Sequence, residues 1–343
     1  MRQVAKRAGV AMSSVSRVLS GHPDVSRAMR QRVLAAVEEL NYQPDLLAQS
    51  LRRRETLSVG FVIGDIANPL LADIVKGAET VLQEAGYSVL LTNSLGDSNV
   101  ELANLRVLEQ RRVDGLILSL ANEDHEPTWH LLERLVTPIV IVDRDVPASL
   151  QASRALSNHA QGMEDAIAHL LELGYRKIGL ILGNPTRPAR ERRLALERAY
   201  ERAGLPPTYR IIEGEFSVEH GERGARELLD DPEPPTAIIA GGNQMTIGAL
   251  RVISDRGIEL GSALSFVGCD DVHVTELYQP PISVVRRDTE ELGRVAAALL
   301  LAQMTRTEES DEPAPPPPVE DVLLPTEYVR RASCAPSLVS SRR

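Results

Sequence analysis

Residues 4–19 read VAKRAGVAMSSVSRVL. Small and apolar residues fall at Val4, Ala5, Ala8, Val10, Val15 and Val18, a spacing that turns one face of each of two short helices inward across a tight bend. Gly9 stands at the bend, where a residue without Cβ accepts φ > 0, and Ala5 is small enough for the second helix to cross closely over the first. This is helix-turn-helix spacing. The outward residues of the second helix are Met12, Ser13, Ser16 and Arg17, a mixed apolar, hydroxyl and cationic set that suits base edges in a major groove. Two ordinary helices of a small α domain would share the apolar spacing, so the neighbouring sequence has to decide.

That sequence, residues 21–60, reads GHPDVSRAMRQRVLAAVEELNYQPDLLAQSLRRRETLSVG. A third helix begins at Val25-Ser26, with Met29, Val33, Leu34, Val37 and Leu40 at helical spacing. Arg27, Arg30 and Arg32 on it serve equally well as solubilising charges or as phosphate contacts. Pro44 closes the region, because the residue before a proline avoids the α conformation. Residues 45–51 form one amphipathic piece too short to hold as a helix alone, so it needs a partner. On the residues alone, Arg52, Arg53 and Arg54 make a basic linker.

The stretches Val4 to Leu19, Val25 to Val33, Glu39 to Pro44 and Ala48 to Leu51 together resemble the lactose-repressor family of bacterial transcription regulators, and the resemblance runs on to about Ser333. It implies a helix-turn-helix DNA-binding domain over 1–43, a hinge helix and linker over 44–56, a two-lobed effector-binding and dimerisation domain over 57–333, and a tail over 334–343. The fold implied is an all-α head followed by an α/β, periplasmic-binding-protein-like core of parallel sheets. It further implies that Met12, Ser13, Ser14, Ser16 and Arg17 contact a palindromic double-stranded operator, with Ala48, Leu51 and Arg52 of the hinge. Leu51 would be wedged between base pairs by a hinge helix paired with that of a second copy, the kind of apolar wedge that kinks DNA.

Some positions depart from the family pattern. Ala11 stands for the serine that caps the second helix, at a cost of about 1 kcal/mol; Ser14 stands for a threonine and Ser20 for an asparagine. Gln3 stands for an aspartate, and no threonine precedes it as a cap. The expectation is a native start a few residues upstream of Met1.

Charge is distributed unevenly. Residues 1–55 hold ten Lys or Arg and five Asp or Glu, net +5, while the whole 343-residue chain is −10, leaving −15 on the rest. A basic end with an acidic body is attracted to a polyanion and oriented on it. Two cysteines, Cys269 and Cys334, are too few for a disulfide framework and lack metal-ligand spacing, which suits a reducing cytosol. No run of about 18 apolar residues and no secretory signal is present, so a cytoplasmic protein without a membrane segment is expected. The DEPAPPPP run at 311–318 reads as an extended linker. The tail beyond Ala335 has no leucine heptads, so a homodimer is expected.

From Leu57 on, short apolar runs alternate with helical stretches, the pattern of parallel sheets with helices on both faces. Strands are expected at 59–64, 87–93, 113–119 and 138–143, then at 178–183, 209–215, 236–242 and 264–270. Helices should start near Pro69, Asn99 and Glu126 in the first series, and near Arg187, Val218 and Gln244 in the second. Two similar series mean two similar lobes. The resemblance adds that VLLPTEYVRRAS closes the fold and that the chain crosses between lobes more than once.

Catalysis finds no support. The seven histidines show no HExxH, no G-x-S-x-G elbow accompanies them, there is no P-loop, and the turn at Gly183 lacks G-x-G-x-x-G. No cofactor is expected. Ligands in open α/β lobes collect beyond the carboxyl ends of the strands. There stand Asp65 and Asn68, Arg144 and Asp145, Arg187, Asn243 and Asp270, types that hold hydroxyls in planar, bidentate fashion.

By resemblance, Arg187 matches an effector-binding arginine, Asp270 an effector-binding aspartate and Phe216 a pocket-lining aromatic. Leu70 and Leu71 occupy the place of an aromatic pair, and Asn243 that of an aspartate. The effector implied is a sugar or related metabolite. The competing class, a periplasmic-type sugar-binding protein, shares the two-lobed body but neither the basic head nor the missing signal.

Overall fold

The computed structural model describes residues 1–19, 22, 24–42, 55–305 and 319–336. They form two compact units, Met1–Thr56 and Leu57–Arg343.

Among the described residues the first unit holds three helices, α1 (Arg2–Ala8), α2 (Met12–Leu19) and α3 (Arg27–Glu39). Gly9 ends α1 in the left-handed region, φ 64° and ψ 40°, and Val10 N–H donates back to Ala5 O at 3.1 Å. Val4, Ala5, Ala8, Val15, Val18, Val33 and Ala36 make the core. Ser26 caps α3 by accepting from Met29 N–H at 3.3 Å. At the start of α2, Ala11 supplies only its carbonyl, to Ser14 and Val15 N–H at 3.0 and 3.2 Å. Two apolar residues of this segment fall outside the core: Leu34 on α3 is 50% exposed and Leu40, the residue that caps its end, 40%, while Ala36 between them is buried.

The second unit is two lobes, each a six-stranded sheet. The strands are β1 (Ser58–Ile63), β2 (Ser88–Asn93), β3 (Gly115–Leu118), β4 (Ile139–Val142), β5 (Ser153–Ser157), β6 (Ile178–Leu182), β7 (Arg210–Glu213), β8 (Ala237–Ala240), β9 (Ser265–Cys269), β10 (Ser283–Arg287), β11 (Asp321–Leu324) and β12 (Thr326–Val329). Lobe 1 has the order β11-β5-β4-β3-β1-β2 and lobe 2 the order β12-β10-β9-β8-β6-β7, so one topology occurs twice. Every pairing is parallel except β10 with β12.

Helices start at Pro69, Ser98 and Glu126 in lobe 1 and at Arg187, Val218 and Asn243 in lobe 2. The central strands are buried on both faces, as their unbroken Val, Ile and Leu runs require.

Two strands beyond the eight apolar runs are present, β5 (SRALS) and β10 (SVVRR). Both carry polar residues that are satisfied inside the fold, Ser153 by Gln303 at 2.7 Å and Arg287 by two aspartates. The closing VLLPTEYV is two strands rather than one. Pro325 separates them, and the chain passes there from the first sheet to the second. With the passages at Asn158 and Asp288, this makes three crossings among the described residues. The strands other than β12 run parallel within each sheet, so the loops after β1, β3, β4, β6, β8 and β9 gather at their carboxyl ends, where ligands of open α/β lobes collect.

Candidate functional site

In the head, Val15 and Val18 hold α2 against its neighbours, and this fixes which residues point outward. Met12, Ser13 and Arg17 are exposed, Met12 at 44%; Ser14 and Ser16 are half-buried. The last turn of α1 adds Lys6 and Arg7, Arg7 pairing with Glu39 at 2.7 Å. Ala48, Leu51 and Arg52, like Arg53 and Arg54, lie outside the described residues.

In the body, two aspartates hold equivalent places. Asp143 directly follows β4 in lobe 1, and Asp270 directly follows β9 in lobe 2. Both have positive φ, 50° and 71°, and both are buried. Left-handed non-glycine residues of this kind gather at functional sites. Arg287, at the end of β10 and beside a crossing, joins them: its Nε donates to Asp270 Oδ1 at 2.7 Å and its Nη1 to Asp143 Oδ2. Asp143 also accepts from Ser157 N–H at 2.6 Å and Ser157 Oγ at 3.1 Å.

Arg192 approaches from lobe 2. It donates to Gly241 O at 2.7 Å and to His159 Nδ1 at 3.3 Å, and it lies 4.0 Å from Asp270. Because a guanidinium only donates, His159 Nδ1 accepts, and the imidazole proton sits on Nε2, 3.4 Å from Asp143 Oδ2.

Burial opposes ionisation of Asp143, but His159, the Arg287 guanidinium and the Ser157 N–H outweigh it and hold this carboxyl below its ordinary range. Burial likewise opposes Asp270, and Arg287 and Arg192 hold it down. Burial pushes the His159 imidazole down to about 4 against the pull of Asp143, so it is neutral at physiological pH. The two aspartates strengthen the hold of Arg287 on its proton despite burial. The centre of the cleft is therefore two carboxylates, two guanidiniums and a neutral imidazole.

The rim lies outside this centre. Arg187 sits at the start of the helix Arg187–Arg202. Its Nη1 is 3.3 Å from Asp145 Oδ1, its Nη2 pairs with Glu191, and its Nε is buried without a partner. Arg144 turns back to Leu120 O at 2.6 Å and Asp143 O at 2.9 Å. Asn68 caps the helix Pro69–Glu84 and accepts from Asn243 Nδ2 across the cleft at 2.9 Å; Asp65 accepts from Gln244 at 3.3 Å. Leu70 is buried and Leu71 packs on the lobe-1 core. Phe216 lies over Gly183, where a Cβ would come within 2.4 Å of its ring, so glycine is required for that approach.

The structure thus gathers Asp65, Asn68, Arg144, Arg187, Phe216, Asn243 and Asp270 at the carboxyl ends of the strands. It does not pair Arg187 with Asp270. Asp143, His159, Arg192 and Arg287 complete the centre and were not singled out from the sequence. The signal for Asp143 was present: PIVIVD ends on an aspartate as LSFVGCD does. Among the described residues no group of three or more His, Cys, Asp or Glu is arranged to hold a metal ion.

A helix-turn-helix head on a two-lobed body with a charged cleft defines a DNA-binding regulator that responds to a small molecule. The family model of bacterial regulatory proteins, lacI family, matches residues 1–45, and that of the periplasmic binding protein-like domain matches residues 167–334. The chain belongs to the lacI family.

It is 33% identical over 310 residues to the ribose operon repressor of Escherichia coli (strain K12), covering 89% of this chain and 93% of the relative. The crystal structure of the lac repressor dimer bound to operator and the anti-inducer ONPF matches with TM-score 0.83 at 26% identity, covering 97% of this chain and 98% of that one. A complex of the transcriptional regulator CelR with cellobiose matches with TM-score 0.71 at 31% identity, covering 96% and 98%. The protein is a sequence-specific transcriptional regulator and not an enzyme. No helix among its described residues is long and apolar enough to cross a membrane.

Proposed function

We propose that the protein acts in the cytoplasm as a homodimeric repressor on a palindromic operator and that a sugar or related metabolite bound between the lobes sets its affinity. The head reads DNA through Met12, Ser13 and Arg17, with Ser14 and Ser16 beside them and Ala48, Leu51 and Arg52 of the hinge at the centre of the operator. Arg17 is suited to bidentate pairing with a guanine, worth about 1–3 kcal/mol of discrimination. The effector meets Asp65, Asn68, Arg144, Arg187, Phe216, Asn243 and Asp270, with Leu70 and Leu71 behind them.

The observation that carries the reading is the pair of buried, left-handed aspartates, Asp143 and Asp270, one from each lobe and both held by Arg287. A ligand entering here interacts differently with closed and open lobes, which is what shifting an equilibrium requires. The lac repressor and CelR complexes support the kind of partner, operator DNA and a sugar. The test is selection of DNA from a random pool by the full chain. A two-fold symmetric site is expected, and Arg17→Ala should relax the preference at one base pair per half-site. Recovery of unsymmetrical DNA, or an unchanged preference in Arg17→Ala, refutes the assignment.

A further inference from the structure

The charges on the rim do more than surround the cleft. Glu123 and Asp145 belong to the loops after β3 and β4 of lobe 1, while Arg187 and Arg190 belong to the first turn of a lobe-2 helix. Arg190 Nη2 pairs with Glu123 Oε2 and lies 2.6 Å from Asp145 Oδ2. Glu123 Oε1 accepts the backbone N–H of Arg187 at 2.8 Å and that of Asp145 at 3.2 Å. A carboxylate at the N-terminus of a 16-residue helix, with its side chain only 6% exposed, is favourably placed by the helix dipole and weakly screened. Asn184 Nδ2 of lobe 2 adds a bond to Ala121 O of lobe 1 at 3.2 Å.

Asp145 is anchored in turn. Arg154 of β5 lies 3.4 Å from it and grips Asp321 of β11. Deeper in the cleft Arg287 of lobe 2 pairs with Asp143 of lobe 1, whereas the contacts at Asn68–Asn243 and Asp65–Gln244 carry no opposed full charges.

We propose that Glu123, Asp145, Arg187 and Arg190 form an electrostatic latch that holds the two lobes closed before effector arrives and so sets the concentration of effector and salt at which the regulator switches. The proposal rests on the reading of the cleft as the effector site. Four charges from both lobes pair with one another there, although Arg187 Nε stays without a partner, so closure has its own driving force. An effector that favours the open lobes must overcome the latch, and one that favours the closed lobes has its ordering cost reduced by it.

The test is a distance between nitroxide labels at Ala148 of lobe 1 and Arg198 of lobe 2, both exposed, in a full chain with Cys334→Ser. In 50 mM NaCl the parent should give a short, narrow distribution, shifting to longer distances in 1 M NaCl. Arg190→Met should raise the open-to-closed ratio about tenfold at low salt, equivalent to about 1.4 kcal/mol, and abolish the salt response. Arg190→Lys, which keeps the charge, should restore both. If Arg190→Met matches the parent in distance and salt response, the latch is refuted. The measurement contains no effector, so it stands apart from the site reading. That reading fails separately if neither ribose nor cellobiose nor any sugar of a broad panel raises the melting temperature of the parent.

Discussion

Glu101 offers a quantitative test of the lobe that carries the cleft. It sits on the helix Ser98–Gln110 with no exposed surface; Oε2 accepts Ala121 N–H at 2.7 Å, and Oε1 is buried without a partner. Burial raises its carboxyl from 4.5 to about 7, against the Ala121 N–H and Arg144. Between pH 4.5 and pH 7 the unfolded chain has released this proton while the folded chain keeps it. Each pH unit in that window therefore removes about 1.4 kcal/mol of stability, and the whole window about 3 kcal/mol.

Glu101→Gln keeps an acceptor for Ala121 N–H and has no charge to bury. The variant should match the parent at pH 4.5 and exceed it by about 3 kcal/mol at pH 8, the gap opening as pH rises. Urea unfolding followed at Trp129, the chain's single tryptophan, reads this directly, since Trp129 packs in the same apolar cluster as Leu102 and Leu105 of that helix. A gap that is constant with pH, or that closes as pH rises, would show that Glu101 is not a neutral acid in the fold.

Asp143→Asn should destabilise the body by about 3–5 kcal/mol at pH 7, because Arg287 loses one of its two buried counterions while asparagine tolerates the left-handed backbone. The folded Asp143 carboxyl is held below its ordinary 3.8, so its contribution is present above that pH and fades as pH falls further; denaturation at pH 7 and pH 3 should show the penalty shrink, and an equal penalty at both would contradict the ion-pair account. Gly183→Ala should cost about 1–3 kcal/mol, since its Cβ would meet the Phe216 ring. Adding Phe216→Ala should recover most of that loss in thermal melting, and no recovery would place the clash elsewhere.

The head was legible because its signals are local. A glycine at the bend and apolar residues three and four apart are set within one or two turns of helix, and α1 to α3 follow them. Six inner strands, β1, β3, β4, β6, β8 and β9, were legible because burial on both faces demands continuous apolar runs, and the edge strands β2 and β7 were legible from apolar runs that are only partly buried. β5 and β10 were not, since SRALS and SVVRR hide their polar residues behind partners more than a hundred positions away in sequence, such as Gln303 and Asp143. For the same reason the sequence drew attention to Arg187 and Asp270 as a charged pair in one cleft but not to Arg287, whose two partners come from different lobes. The closing segment showed where the fold ends, but a single proline decided that it serves both sheets. Val33 and Ala36 of α3 lie inside while Leu34 on it and Leu40 at its end lie outside, which shows the limit of helical periodicity as a guide to burial.

The most direct test of the account is the affinity of the full chain for its selected operator, titrated with and without a sugar that raises its melting temperature. Binding of such a ligand stabilises the folded body by mass action, and linkage requires a ligand that couples to operator binding to change operator affinity by the same factor that operator changes its own. We predict a shift of at least about fivefold, the lower end of typical allosteric coupling, in either direction. An operator affinity that stays constant while the ligand saturates the body would contradict a regulator whose DNA-binding head answers to its cleft.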